Sequence, residues 1–160
     1  MSDLDLTIEE IYLELGPALL AYARSIVIDA AAAEDAVHQV FLKLIASRAA
    51  LPHEPRPYLF RAVRNTCLNR RRTRAREYGA RHASPMFAAQ DGLAALVPDL
   101  EKALADLPEE QREVVVLRVW GEMTLQAAAD VLDVPLNTAA SRYRYALDKL
   151  RQRFGVHLRS

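Results

Sequence analysis

The residues best suited to chemistry in this chain are arginines and amides gathered in one segment, YLFRAVRNTCLNRRRTRAR. Between Arg56 and Arg81 there are nine arginines and a single acid, Glu77. If the segment is a helix, its outward side carries Arg61, Arg64, Asn65, Leu68, Asn69 and Arg72. Guanidinium groups form forked, charge-assisted hydrogen bonds with phosphate, and asparagine can bond base edges. The pattern therefore indicates binding of nucleic acid.

A second interpretation is that these arginines pair with acids elsewhere in the chain. The first 35 residues contain eight acids and only one basic residue, Arg24. However, no acid lies four residues from Arg61, Arg64 or Arg72, so nothing on the same helix would neutralise them. We therefore favour nucleic acid as the partner of the arginines, and a different partner for the acidic front of the chain.

Two aromatic residues, Tyr58 and Phe60, stand at the start of the arginine-rich segment, beside the proline-rich stretch LPHEPRP. The prolines forbid a helix through that stretch, so it is predicted to be a loop. An aromatic ring next to such a loop could stack on an unpaired base. We expect Phe60 to lie in the core, which leaves Tyr58 as the stacking residue.

A second candidate site runs from Met123 to Tyr145 and has the pattern of a helix-turn-helix. Thr124 is a predicted N-cap, Gly121 is expected to take a positive φ before it, and Asp133-Val134-Pro135 makes the turn. The second helix would turn Asn137, Ala140, Ser141, Arg144 and Tyr145 outward, where they could reach a major groove. The alternative is a helical hairpin that only packs, with its basic residues as a solvated face.

Composition excludes several other classes. The formal net charge is zero, Cys67 is the only cysteine, and the four histidines show no spacing that would gather them around a metal. We therefore expect no disulfide, no metal and no cofactor. The chain begins with no secretory pattern and contains no apolar run of membrane-spanning length, so a soluble, cytoplasmic protein is predicted.

The elements that must position these residues are all helical. A capping box at Thr7-Ile8-Glu9-Glu10 opens a first helix, which Gly16-Pro17 should bend or divide, and a second helix follows Asp29. The periodicity fades between Tyr78 and Val97, which predicts a linker. The fold class is therefore all-α, with two small helical domains joined by a flexible linker and the C-terminal one a helix-turn-helix. Each domain is small enough to need steadying by a partner.

Three segments together resemble a known family. AEDAVHQVFLKLI (33–45), the arginine-rich segment, and LPEEQREVVVLRVWGEMTLQAAADVLDVPLNTAASRYRYALDKLR (107–151) look like a bacterial extracytoplasmic-function sigma factor, the smallest class of the sigma-70 family. The resemblance implies a region 2 domain at 7–76, a linker at 77–98 and a region 4 domain at 99–155. The first would bind core polymerase and recognise and melt the minus-ten element, and the second would bind the minus-thirty-five element.

The resemblance also implies roles for single residues. It puts Asp35, Gln39, Phe41 and Leu42 on the surface that docks on the β′ clamp helices of core RNA polymerase. It implies that residues 47–57 capture a flipped base of the minus-ten strand. It also implies that this strand is held by Tyr58, Arg61, Arg64, Asn65, Asn69 and Arg72. It implies that the minus-thirty-five element is contacted by Thr138, Ala140, Ser141, Arg142, Arg144 and Tyr145. The implied partners are core polymerase, through the clamp helices and the β flap, and promoter DNA, with an anti-sigma factor left open.

Three other classes of protein could account for parts of this pattern. A nuclease could use Glu34, Asp35 and a histidine, but no carboxylate cluster at metal spacing supports it. A stand-alone helix-turn-helix regulator would bind duplex DNA without polymerase, and tight, specific promoter binding by the chain alone would favour it. An anti-sigma-like adaptor would not need the arginine-rich helix.

Overall fold

Seven α-helices make up the computed structural model of the chain, which describes residues 7–27, 29–48, 50–78 and 98–155. No strand occurs in those ranges, so the predicted all-α class is confirmed. The helices are α1 (Ile8–Ile26), α2 (Ala30–Ser47), α3 (Pro55–Tyr78), α4 (Pro98–Asp106), α5 (Glu109–Val119), α6 (Leu125–Leu132) and α7 (Leu136–Phe154). We call α1–α3 the first lobe and α4–α7 the second lobe.

Side-chain caps start the first two helices of the first lobe. The Thr7 hydroxyl accepts from the Glu10 backbone N–H at 3.1 Å while the Glu10 carboxylate accepts from the Thr7 N–H at 2.8 Å, which is the predicted capping box. Asp29 caps α2 with a single hydrogen bond, in which its carboxylate accepts from the Ala31 backbone N–H at 3.0 Å. The prediction that Gly16-Pro17 divides the first helix is wrong. Pro17 is exposed and has no backbone N–H to donate within the helix. The helix is nevertheless continuous, because Leu15 and Leu19 on either side of it are buried against the core.

The helix-turn-helix forms as the sequence predicts, with one difference in the backbone. Thr124 caps α6 by accepting from the Ala127 N–H at 3.1 Å, and Asp133 ends α6 in the left-handed region at φ 57°. The positive φ expected at Gly121 is instead at Glu122, where φ is 52°. Gly121 is required for a different reason: a Cβ there would collide with the carbonyl oxygen of Leu117.

The two lobes pack against each other and share one hydrophobic core. α1 contacts α5, and α3 contacts α6. The core runs without a break from Leu19 and Phe60 in the first lobe to Val114 and Leu117 in the second, all of them fully buried. The sequence predicted two helical domains but not how they meet, and in this structure they are in direct contact. Most of the linker predicted at 77–98 lies outside the described residues, and the flexibility predicted for it is untested.

Candidate nucleic-acid and polymerase interface

Helix α3 presents the arginines because its opposite side is buried. Leu59, Phe60, Val63 and Cys67 recur at helical spacing and are all fully buried, which fixes the rotation of the helix. The Phe60 ring lies 5.5 Å from that of Tyr22, centroid to centroid, so its predicted place in the core is confirmed. Burial raises the pKa of the Cys67 thiol to about 12, so this cysteine is neutral and unreactive at physiological pH.

Five of the six residues predicted to hold the minus-ten strand are exposed on one side of α3. Tyr58 is 46% exposed, and Arg61, Asn65, Asn69 and Arg72 follow at steps of three and four residues. Arg72 donates to the side-chain oxygen of Asn69, so the guanidinium and the amide next to it are already oriented together. This side of α3 has the donors that a phosphate backbone and base edges would accept from.

The sixth residue, Arg64, is turned toward the second lobe. Its Nε donates to Oε1 of Glu113 at 2.9 Å, and Glu113 is only 5% exposed. The Tyr22 hydroxyl donates to the same oxygen at 2.9 Å. Burial, reinforced by the negative charge of Glu113, raises the pKa of Tyr22 well above its ordinary value. No acid on α3 itself neutralises Arg64, as predicted, but Glu113 reaches it from another helix and takes the place assigned to nucleic acid.

Other arginines of α3 also contact oxygens elsewhere in the chain. Arg61 donates to the backbone carbonyl of Asp130, Arg56 donates to that of Gly121 at 2.9 Å, and Arg71 pairs with Glu109. Within the first lobe, Arg74 pairs with Asp29 at 2.6 Å. Pairing with the acidic front of the chain therefore holds for Arg74 and, at 4.0 Å from Glu14, for Arg56, but most of these contacts cross to the second lobe.

The predicted polymerase-docking residues on α2 do not all reach the surface. Asp35 is exposed, Leu42 is 64% exposed, and Gln39 is partly exposed and accepts from Arg70 at 2.9 Å. Phe41 is 4% exposed and packs edge-on to Tyr12 at 5.0 Å, so its predicted place on the docking surface is wrong. The reason is that Phe41 continues the buried stripe of α2, whose period carries it away from the outer face.

One further exposed apolar residue lies beside the predicted docking residues on α2. Ile45 is 57% exposed. It follows Leu42 by three residues, on the side of α2 that carries Asp35 and Gln39. The spacing could have revealed it, because 35, 39, 42 and 45 are separated by four, three and three residues.

A polar groove of about 400 Å³ connects this side of α2 with α3. It is lined by Gln39, Lys43, Asn69, Arg70 and Arg74, among others. One predicted docking residue and one predicted strand-holding residue thus border the same groove. No group of histidine, cysteine or acidic side chains suited to a metal occurs in the described part of the chain.

Helix α7 presents the second set of predicted DNA contacts. Arg144 and Tyr145 are exposed, with the guanidinium carbon of Arg144 lying 5.4 Å from the centre of the Tyr145 ring. The remaining predicted contacts are partly exposed: Thr138, Ala140, Ser141 and Arg142. The buried Ala139 and Ala146 hold the other side of the helix. All six predicted residues therefore reach the surface of one helix, as base reading from a major groove requires.

A helix-turn-helix packed beside an arginine-lined helix is typical of DNA-binding proteins. Comparison with known proteins agrees: the family "Sigma-70 region 2" matches residues 11–77 and "Sigma-70, region 4" matches residues 103–152. These two ranges take up most of the chain and occur in the order that the sequence predicted.

Individual relatives lead to the same family. The ECF RNA polymerase sigma factor RpoE of Cereibacter sphaeroides is 43% identical over 53 residues, which are 33% of this chain and only 29% of that relative's length. The solved structure of RpoE from Bartonella quintana, in complex with the anti-sigma factor NepR, is 26% identical with a TM-score of 0.74, covering 94% of this chain and 98% of that one. CnrH, solved with the cytosolic domain of CnrY, shares the fold at 20% identity and a TM-score of 0.64, covering 94% of this chain and 89% of that one.

The chain therefore belongs to the sigma-70 family and is a sigma factor of the extracytoplasmic-function class. Sigma factors act with core RNA polymerase and promoter DNA in transcription initiation, and they are not enzymes. Within the described residues, no helix is both long and apolar enough to cross a membrane.

Proposed function

We propose that this chain directs core RNA polymerase to a bipartite promoter and helps to open the minus-ten region by holding unpaired bases. The observation that carries the proposal is the exposed row on α3, which lies within the range matched by region 2. Tyr58 supplies a stacking surface for a base, and Arg61, Asn65, Asn69 and Arg72 supply donors for the strand. Catalysis stays with the polymerase, and no cofactor is needed.

Contact with polymerase is assigned to the outer side of α2. Asp35, Gln39 and Leu42 would dock on the β′ clamp helices, and Ile45 extends that surface. An exposed carboxylate beside two exposed apolar side chains suits a basic and apolar protein surface better than it suits DNA. The second lobe would contact the β flap.

The minus-thirty-five element is assigned to α7. Arg144 would contact the backbone, while Thr138, Ser141 and Arg142 lie where base edges or phosphates can be reached. Of the six residues assigned to this element, only Arg142 and Arg144 are charged, so the charge that they bring to the duplex is modest. We further propose an anti-sigma factor as a partner and the cytoplasm as the location. The partner is supported by the RpoE relative, whose structure is a complex with NepR.

The test is transcription in vitro. Purified core polymerase, with and without the chain, is supplied with a library of genomic fragments, and the start sites are sequenced. We expect start sites that depend on the chain and share two upstream elements. If the chain bound a promoter duplex tightly and specifically without core, and supported no transcription with it, the stand-alone regulator would replace this proposal.

A further inference from the structure

The polar groove between α2 and α3 has an excess of positive charge. Three cations line it, Lys43, Arg70 and Arg74, and no acid lines it among the described residues. Asp29 neutralises Arg74 through an ion pair of 2.6 Å. Lys43 and Arg70 form no ion pair within the described part of the chain. Two cations that line one groove without a carboxylate favour an anion between them.

Arg70 keeps hydrogen-bond donors that the protein does not use. One of its terminal nitrogens donates to the side-chain oxygen of Gln39 at 2.9 Å, and its Nε is buried without a hydrogen-bond partner in the described ranges. A guanidinium has five N–H donors, and a buried donor without an acceptor costs free energy. A phosphate in the groove supplies acceptor oxygens after a small rotation of this side chain, and Lys43 meets its second charge.

The groove has room for more than a phosphate group. Its volume of about 400 Å³ lies within the range of small-molecule pockets, roughly 300–1,000 Å³. Besides the cations, it is lined by neutral polar groups, the amides of Gln39 and Asn69 and the hydroxyls of Thr66 and Thr73. Amides and hydroxyls both donate and accept hydrogen bonds, as the sugar and base of a nucleotide do. The lining therefore fits an anion with a polar body of nucleotide size.

The groove lies beside the two proposed macromolecular surfaces and follows neither of them. Of the exposed row on α3 only Asn69 lines it, and of the predicted docking residues on α2 only Gln39 does. A strand that follows the row passes the rim of the groove without filling it, and a protein docked on the outer side of α2 does the same. The groove is therefore better suited to a small ligand than to either macromolecule.

We propose that this groove binds a free phosphorylated small molecule of nucleotide size, with Lys43 and Arg70 as its phosphate-binding residues. The site itself does not depend on the proposed function, but its consequence does. A phosphate that takes the donors of Arg70 competes for them with Gln39, which belongs to the surface proposed to dock on polymerase. Binding of the ligand is thereby linked to association with polymerase.

The experiment titrates three probes onto the full chain: ADP, inorganic phosphate and a short single-stranded DNA of random sequence. Calorimetry gives the affinities, and amide shifts in the NMR spectrum locate the site. Lys43→Gln and Arg70→Gln each remove one positive charge from the groove. Lys102→Gln makes the same change at an exposed lysine of α4 that does not line the groove, so it is the matched control. Lys43 is exposed, so its variant keeps the test valid if circular dichroism shows that Arg70→Gln does not fold.

We expect ADP to bind more tightly than inorganic phosphate and to shift the amide signals of residues that line the groove. Each groove variant should weaken ADP binding about tenfold, as the loss of one charge-assisted hydrogen bond does, and Lys102→Gln should leave it unchanged. The inference is overturned if ADP binds no more tightly than inorganic phosphate, or if the groove variants leave its affinity unchanged. It is also overturned if only the single-stranded DNA binds there, because the groove would then belong to the strand.

The link to polymerase is measured separately, by fluorescence anisotropy of the labelled chain with core polymerase in the presence and absence of saturating ADP. A change in affinity for core that ADP causes in the wild type and not in Arg70→Gln supports the link. Binding of ADP without that change upholds the site and overturns only the link. A chain that binds ADP in the groove but supports no transcription upholds the site and overturns the proposed function.

Discussion

The two helices that carry the predicted nucleic-acid contacts, α3 and α7, differ in how much of their outer surface the chain itself covers. On α3, Arg61 and Arg64 contact the second lobe, whereas on α7 the exposed Arg144 and Tyr145 face outward. The difference follows from position: α3 lies between its own lobe and α6, while α7 packs on one side only, against helices of its own lobe. Similar basic helices in one chain can therefore differ in their availability to DNA.

The largest expected effect is on the free energy of unfolding, and it compares a buried ring of α3 with an exposed ring of α7. Phe60→Ala should lower the free energy of unfolding by about 3–5 kcal/mol, because it empties a fully buried site behind α3. Tyr145→Ala, at a position 53% exposed, should change it by less than about 0.5 kcal/mol. Urea unfolding followed by circular dichroism gives both values, and similar losses in the two variants would contradict the comparison.

Alkaline pH should weaken the side of the core behind α3. Tyr22 and Cys67 both have raised pKa values in the folded chain, that of Cys67 reaching about 12. The unfolded chain releases these protons at lower pH than the folded chain, so stability is full below about pH 8 and falls as pH rises toward 12. Each group contributes a slope of up to about 1.4 kcal/mol per pH unit.

Urea unfolding at a series of pH values measures this slope. Tyr22→Phe and Cys67→Ala should each make the slope less steep. Tyr143→Phe is the matched control, because this tyrosine of α7 is only partly buried. A slope that persists unchanged in both buried variants would show that other groups carry the pH dependence.

The docking surface on α2 can be separated from the DNA surface on α3. Asp35→Ala combined with Leu42→Ala should weaken association with core polymerase about tenfold, which is about 1.4 kcal/mol and more than most single truncations at an interface cost. Phe41→Ala should instead destabilise the fold, because that ring is buried. Fluorescence anisotropy with labelled chain measures the association. Leu13→Ala on α1, exposed to a similar degree, is the control and should leave it unchanged.

The smallest expected effects compare α3 and α7 directly. Arg72→Ala should slow open-complex formation severalfold and leave closed-complex formation intact, whereas Arg144→Ala should weaken duplex binding at the upstream element. Each should reduce the slope of log affinity against log salt by about one, as loss of a single phosphate contact does. Permanganate reactivity reports opening and filter binding reports the duplex. The assignment would be wrong if both variants affected the same step.

Local structure was predictable because its causes lie within a few residues. The capping box at Thr7 and Glu10, the cap at Thr124 and the left-handed Asp133 each depend on neighbours three or four positions away. The continuity of α1 through Pro17 was not predictable, since it depends on how Leu15 and Leu19 pack against other helices.

The contact between the two lobes could not be predicted from the sequence. Glu113 stands in EEQREVVV, where it looks like one more acid in the exposed first turns of a helix. Its burial arises only because Tyr22 and Arg64, 91 and 49 residues away, meet it in the fold. Contacts at such separations leave no local periodicity, so the same arginine pattern fits a free DNA-binding face and an occupied one.

Gly121 restricts which residues this fold can accept at position 121. The residue contacts neither proposed partner, yet any side chain there would strike the carbonyl of Leu117, and its own carbonyl accepts from Arg56 across the lobes. Even alanine would push the end of α5 away from the start of α6 and carry the Arg56 acceptor with it. Random mutagenesis should therefore recover no substitutions at this position, a pattern usually taken to mark a ligand-binding residue.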